Sequence, residues 1–309
     1  MLCKVMAAMT QTPIHPLDLN FSNRQGTIAA YLIRHSGGAV MVESGPGSTI
    51  EALKADLAAL GLTPLDVTHV LLTHIHLDHA GAAGWLAQQG AQVYVHPVGA
   101  PHMLDPQKLL ASALRLYGDK MDSLWGQFLP VPSDKLTEVQ DGQEIVIGGM
   151  RFTGIHTPGH ARHHVAYLFE DVCFTGDIGG VRIPGPSYLR LPMVPPETHI
   201  EDWRASLLRL RQIGFRRVAP THFGIYDDAA AHLTLGLRTL DEAERWLERE
   251  MPADPPIETL REHFVEWLQM QGRAAGVSED NLALYEIANP TWMGADGLQR
   301  YWRKFRAAS

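Results

Sequence analysis

The stretch Thr73-His74-Ile75-His76-Leu77-Asp78-His79 places three imidazoles and a carboxylate within six consecutive positions. Neutral imidazole nitrogens and carboxylate oxygens are the donors that zinc and similar divalent ions take. Folding alone does not ask for such a cluster, because every polar group withdrawn from water needs a partner. The segment follows the apolar run 67–72, which reads as a buried strand, and precedes Ala80-Gly81-Ala82-Ala83-Gly84-Trp85, which reads as the start of a helix. His74 and His76, two residues apart, can share one side of an extended strand end. Asp78 and His79 then enter the helix from a turn. A metal site is expected, and the rest of the chain must complete it.

Three other places offer one donor each, just past a short strand. Thr157-Pro158-Gly159-His160 follows the strand-like 151–156, and its Pro-Gly pair predicts a tight turn. Thr175-Gly176-Asp177 follows Val172-Cys173-Phe174. Pro220-Thr221-His222-Phe223-Gly224 follows Arg217-Val218-Ala219. Singly these are weak signals, but their order and spacing make the pattern specific.

On these motifs the chain resembles the metallo-β-lactamase-fold superfamily of metal-dependent hydrolases, in its glyoxalase II-like and lactonase-like branch, over roughly residues 20–226. The resemblance implies an α/β (α+β) four-layer αβ/βα sandwich with the site in the cleft between sheet edges. It also implies that His74, His76 and His160 hold one metal, that Asp78, His79 and His222 hold another, and that Asp177 bridges the two. Two divalent ions are expected, zinc first, with iron or manganese as alternatives. Members often carry Asp where Glu43 stands, supporting a ligand histidine. The longer Glu43 either takes that role or is a solvated turn carboxylate. The residues by themselves support only alternating strands and helices.

The ligand set argues a mechanism. Two divalent ions at the roughly 3.5–4 Å spacing of dinuclear sites would lower the pKa of a shared water toward neutrality and supply a nucleophile for an electrophilic carbon or phosphorus. Asp78 or Asp177 receives or relays the proton. Tyr226, four residues after His222, could donate to a developing oxyanion or serve the core. His163 and His164 could orient His160, contact substrate or simply pack. No protein nucleophile is required, in keeping with the absence of a G-x-S-x-G motif. The resemblance implies hydrolysis of an ester, thioester or lactone of a small molecule. A phosphodiesterase acting on a small phosphodiester and a mononuclear-iron persulfide dioxygenase are the alternatives, and a degenerate metal-binding scaffold is the non-enzymatic one. The Tyr that lactonases carry after the bridging Asp is missing from Asp177-Ile178-Gly179-Gly180. No cluster of Lys and Arg awaits a glutathione carboxylate, although Arg182 or Arg190 could serve.

Composition agrees with an enzyme of small molecules. The chain has 309 residues, 45% of them hydrophobic, which is ample for a full core. A net charge of −8 argues against nucleic acid as partner, which would ask for a basic face. No apolar run is long enough to cross a membrane. Residues 1–10 read as too short for a signal peptide, and two cysteines give no disulfide framework. Cys3 is expected in a frayed terminus and Cys173 in the core. A cytoplasmic location follows from the absence of signals.

The elements that must position the donors are legible in part. Residues 27–33 and 39–42 predict a hairpin around Gly37-Gly38. Ser48, with Glu51 three residues later, predicts a capping box for a helix to about Leu60. Residues 91–96, 144–147, 150–156, 164–169 and 172–174 predict strands, and 200–213 a helix. Residues 98–132 hold more apolar side chains than a connection needs, so they either pack as extra helices on the core or a partner chain, or wall the site. The Pro- and Gly-rich 179–196 begins two residues past Asp177, and is either a substrate-facing lid or a rigid excursion. The catalytic domain is expected over 1–226 and a helical subdomain over 227–309, where Leu233, Leu237, Leu240 and Leu247, then Leu260, Phe264, Trp267 and Leu268, then Leu298, Tyr301, Trp302 and Phe305 recur at helical spacing. These helices are expected to cap the sandwich or contribute to a homodimer interface, with covering the active-site mouth the less favoured role, and Arg300, Arg303, Lys304 and Arg306 to form a solvated face.

Overall fold

The computed structural model describes residues 11–307. Residues 1–10, including Cys3, lie outside the described residues. In chain order the strands are β1 (Ile14–Asp18), β2 (Ala29–His35), β3 (Gly38–Val42), β4 (Val67–Leu71), β5 (Gln92–Val95), β6 (Leu136–Glu138), β7 (Glu144–Ile147), β8 (Met150–His156), β9 (Val165–Phe169), β10 (Val172–Phe174) and β11 (Arg217–Ala219). The helices are α1 (Ile50–Ala59), α2 (Leu77–Ala80), α3 (Ala83–Gln88), α4 (Ala100–Leu104), α5 (Gln107–Tyr117), α6 (Met121–Trp125), α7 (Ile200–Ile213), α8 (Ala229–Glu250), α9 (Ile257–Ala274), α10 (Glu279–Ala288) and α11 (Thr291–Phe305).

Strands β1 to β6 form one sheet in chain order, antiparallel through β3 and parallel from β3 onward. The second sheet runs β11-β10-β9-β8-β7, with only the β10–β11 pair parallel. The central strands β2, β3 and β9 are buried on both faces, so adjacent side chains along them serve different cores, whereas the edge strand β7 exposes one face. Along β2, Tyr31 and Ile33 face the second sheet, where they meet Phe152, Tyr167 and Phe174. Ala30 and Leu32 face the other way, into a core shared with Leu53 and Leu57 of α1, Leu86 of α3 and Met103 of α4. On the far side of the second sheet, Ala166 and Cys173 join Trp203 of α7, Leu240 and Trp246 of α8, Phe264 of α9 and Leu298 of α11 in one continuous core. The order is helices, sheet, sheet, helices: the expected four layers. Each large side chain taken out of water contributes about 1.5–3 kcal/mol, and the C-terminal helices add to the second sheet's own core.

Some expectations are corrected. Ser48 caps no helix: its hydroxyl donates to the Leu124 carbonyl, and Glu51 pairs with Lys54 instead. A one-turn helix over Gly47–Thr49 precedes α1 and supplies its entry, so Thr49 stands at the cap with its hydroxyl donating back to the Pro46 carbonyl at 3.0 Å and not capping α1. Strand β1 carries Pro16, which an edge strand tolerates, and so it escapes a pattern reading. The basic end is largely exposed, as expected, and it also pairs, Arg306 with Glu201 and Glu244 and Arg303 with Asp254. Cys173 is fully buried, as expected, and burial pushes its thiol pKa up. No helix among the described residues is long and apolar enough to cross a membrane.

Candidate metal centre

The seven expected donors come together at one end of the sandwich, each just past the C-terminal end of a strand or in the short helix that follows. His74 and His76 follow β4, and Asp78 and His79 lie within α2. His160 follows β8, Asp177 follows β10 in a single helical turn, and His222 follows β11. The Thr73 carbonyl accepts from the Val165 amide, which ties this end of the first sheet to β9 of the second.

The donors form two clusters that share one residue. Nε2 of His74 and Nε2 of His160 lie 3.0 and 2.9 Å from Nδ1 of His76. Asp177 Oδ2 stands 3.3 Å from His160 Nε2 and 3.9 Å from His74 Nε2. Its other oxygen, Oδ1, stands 3.3 Å from His79 Nε2 and 3.4 Å from His222 Nε2. Asp78 Oδ2 completes that second group, 3.5 Å from His79 Nε2 and 3.4 Å from His222 Nε2.

The remaining ring nitrogens explain why these atoms point inward. Nδ1 of His160 is 2.7 Å from the Pro192 carbonyl, and Nδ1 of His222 is 2.8 Å from that of Thr27. A ring that donates from Nδ1 to a carbonyl keeps a lone pair on Nε2. Nδ1 of His79 lies 3.0 Å from Glu43 Oε1, and Nδ1 of His74 lies 3.0 Å from the Thr73 hydroxyl. That hydroxyl donates to Glu43, as does the Thr221 hydroxyl at 2.9 Å. Glu43 is fully buried, with a backbone φ of 68°, so it is the histidine-supporting carboxylate and not a solvated turn residue. A left-handed φ on a residue with a side chain is a local strain, and the hydrogen bonds it enables fall on the centre.

Electrostatics divide the imidazoles. Burial, then the neighbouring rings, hold His74 well below its ordinary pKa, and burial pushes His160 down to about 3 despite Asp177. Burial acts the same way on His79 and His222, but the Asp177 and Asp78 carboxylates outweigh it and raise both. Burial would raise Asp177, and the charges of His79, His160 and His222 reverse that. His79 Nε2 and Asp177 Oδ1 are buried with no hydrogen-bond partner among the described residues. Unmet inward lone pairs on a nitrogen–oxygen donor set fit divalent cations.

The other candidates fall elsewhere. Tyr226 does not join the centre: its hydroxyl donates to the Arg182 carbonyl at 2.5 Å, and its ring carries the Arg182 guanidinium 4.0 Å from the centroid. An oxyanion-donating role for it is corrected on that geometry. Arg182 pairs with Asp228 through two bonds of 2.7 and 2.8 Å, and the buried Arg190 turns to Glu286 at 3.4 Å. Neither lines the cleft at the centre, so neither is placed to receive a substrate carboxylate. His164 packs on the Thr157 hydroxyl at 2.8 Å, and His163 lies 3.4 Å from Glu197.

The centre opens into a cleft of about 160 Å³. Leu109, Ala113 and Trp125 from the 98–132 region form one wall, which gives that region both of its expected roles: core helices and a wall of the site. Pro192 and Val194 place the Pro- and Gly-rich segment against the cleft, as the substrate-facing reading expected. Ile287, Asn289 and Met293 close it from the C-terminal helices, the less favoured of the roles expected for them. No signal in the sequence marked these, because nothing local ties α10 to His76.

A sequence model described as the Metallo-beta-lactamase superfamily matches residues 23–222. The chain belongs to that superfamily. As a member it is a hydrolase, and the superfamily's fold is a metal-binding one. Over 190 residues the chain is 32% identical to a metallo-beta-lactamase fold-containing protein of Sulfurisphaera tokodaii, spanning 60% of this chain and 69% of that one. Over 254 residues it is 24% identical to the atrochrysone carboxyl ACP thioesterase of Aspergillus fumigatus, covering 82% of this chain and 48% of that protein. The chain thus spans about half the length of that fungal relative. The crystal structure of an archaeal metallo-beta-lactamase superfamily protein from Sulfolobus tokodaii superposes with a TM-score of 0.66 at 22% identity, covering 94% of this chain and 99% of that one. A metallo-beta-lactamase family protein from Thermus thermophilus gives 0.62 at 22% identity, covering 94% and 93%. At those identities the likeness is one of fold.

Proposed function

We propose that this superfamily member is a dinuclear metal-dependent hydrolase of an ester, thioester or lactone carbonyl in a small molecule. The observation that carries the reading is Asp177, whose two carboxylate oxygens face different donor clusters. His74, His76 and His160 would hold one divalent ion, Asp78, His79 and His222 the other, and Asp177 both. Zinc suits the donors, and so do iron and manganese. When bound, such ions polarise a carbonyl and lower the pKa of water toward neutrality.

The chain's own residues do the rest. The carbonyls of Pro192 and Thr27, with Glu43, fix which nitrogen of His160, His222 and His79 faces inward. Asp78, partly exposed toward the cleft, is placed to take the proton released as water attacks. The apolar walls keep bulk water from the acyl group. Among the described residues no Lys or Arg lines the cleft. A glutathione carboxylate lying against these walls, away from the metals, would bring anionic charge there without a partner, and this favours an uncharged group on the far side of a carbonyl substrate. The named thioesterase activity of the fungal relative is compatible with it.

Elemental analysis of chelator-free protein, followed by an ester, thioester, lactone and phosphodiester panel, tests the reading. Close to two divalent ions per chain with carbonyl turnover supports it. One iron per chain with oxygen uptake on a glutathione persulfide, or turnover of phosphodiesters alone, overturns it.

A further inference from the structure

Asn289 is 5% exposed, and it lines the cleft that Asp78, Asp177 and His160 also line. Its carboxamide makes no hydrogen bond to any described residue, although its backbone amide donates to the Tyr285 carbonyl at 2.8 Å. An Asn between two helices ordinarily serves as a cap. Here that work is done by another residue: Glu286 Oε1 accepts from the Thr291 amide at 2.9 Å and from the Thr291 hydroxyl at 3.1 Å. Glu286 also meets Arg190, and so the turn between α10 and α11 is held without the Asn289 side chain. Among the described residues Trp125 Nε1 in this cleft is sealed from solvent without a partner, whereas the Asn289 carboxamide is not sealed off and stays open to the cleft. In the apolar wall of a cleft it is a fixed polar contact for whatever enters.

We infer that Asn289 is a specificity-determining residue, hydrogen-bonding a hydroxyl or carbonyl oxygen on the uncharged apolar acyl or aryl part of the substrate. The inference rests on the carbonyl-hydrolase reading for the reacting end alone. The cleft volume of about 160 Å³ is on the order of an apolar cavity that accepts a benzene ring. The ligand class is therefore a small aryl or short acyl group bearing one neutral hydrogen-bonding oxygen.

The test compares acetophenone with its 2-, 3- and 4-hydroxy derivatives as non-hydrolysable probes, by calorimetry on metal-loaded protein, alongside turnover of methyl benzoate and the methyl hydroxybenzoates. At least one hydroxy isomer is expected to bind about tenfold more tightly than acetophenone, the worth of one neutral hydrogen bond. Asn289→Leu should abolish that preference while acetophenone affinity and metal content stay as in wild type, and Asn289→Ala serves if the first variant does not fold. Equal affinity for all four ketones in wild type, no binding of any, or a preference surviving both variants overturns the inference. An Asn289-dependent preference with no turnover across the ester, thioester and lactone panel overturns the carbonyl-hydrolase reading and leaves this inference standing. Ester turnover with equal ketone affinities does the reverse.

Discussion

Glu43 Oε1 stands 3.0 Å from Nδ1 of His79, and both side chains are buried. The same carboxylate receives the hydroxyls of Thr73 and Thr221, so it joins loops from both sheets behind the donor clusters. Glu43→Gln keeps the shape and removes the charge. Metal affinity is expected to fall roughly 10–100-fold, as for other carboxylates behind a ligand histidine. Competition with a chromophoric chelator measures this, and unchanged affinity would mean that Glu43 only holds the loops.

Asp177→Ala removes a carboxylate that faces both clusters. Both ions and turnover are expected to be lost together. Elemental analysis alongside the best substrate of the panel decides the matter. A variant that retained two ions and full rate would disprove the bridging role.

Tyr226→Phe should cost stability rather than rate. The hydroxyl is tied to the Arg182 carbonyl, and the loss of that bond is expected to cost about 1 kcal/mol. Thermal unfolding should show a lowered midpoint, with kcat within about threefold of wild type, which is under 1 kcal/mol in the barrier. A large fall in kcat at unchanged stability would bring the phenol back to the substrate.

Away from the centre, Asp171 accepts from Arg217 at 2.7 Å and Arg216 at 2.9 Å, joining the start of β10 to β11. Burial would raise its pKa, but the two guanidinium groups hold it below the usual carboxylate range. A depressed folded pKa stabilises the fold above the unfolded value, and the benefit is lost as pH falls through the folded one. Wild type should therefore be more stable than Asp171→Asn near pH 7. The gap should narrow as urea unfolding is repeated from about pH 5 downward, the range over which carboxylates of this kind titrate. A gap independent of pH would assign the difference to shape alone.

The candidate donors that the fold brings together were legible in the sequence alone, because metal chemistry selects side-chain type and the types cluster within short loops. His74 to His79 lie in one loop and helix, and the Pro-Gly and Thr-Gly turns set His160 and Asp177 just past their strands. Strands such as Glu144–Ile147 and Met150–His156 were equally legible, since an apolar run between turn residues carries its own boundaries. Tertiary structure decided what depends on partners far away in the chain. Glu43 and Thr221 are 178 positions apart, and only their meeting makes Glu43 a buried support instead of a turn carboxylate. The Tyr226 hydroxyl goes to a backbone carbonyl, which no side-chain pattern encodes. Arg182 and Arg190 find carboxylates at Asp228 and Glu286, and so put no cation in the cleft wall. Asn289 and Met293 reach it because α10 and α11 fold back over the donor end of the sandwich. Donor chemistry is local, whereas the burial, charge and shape around it arise only when distant segments exclude water together.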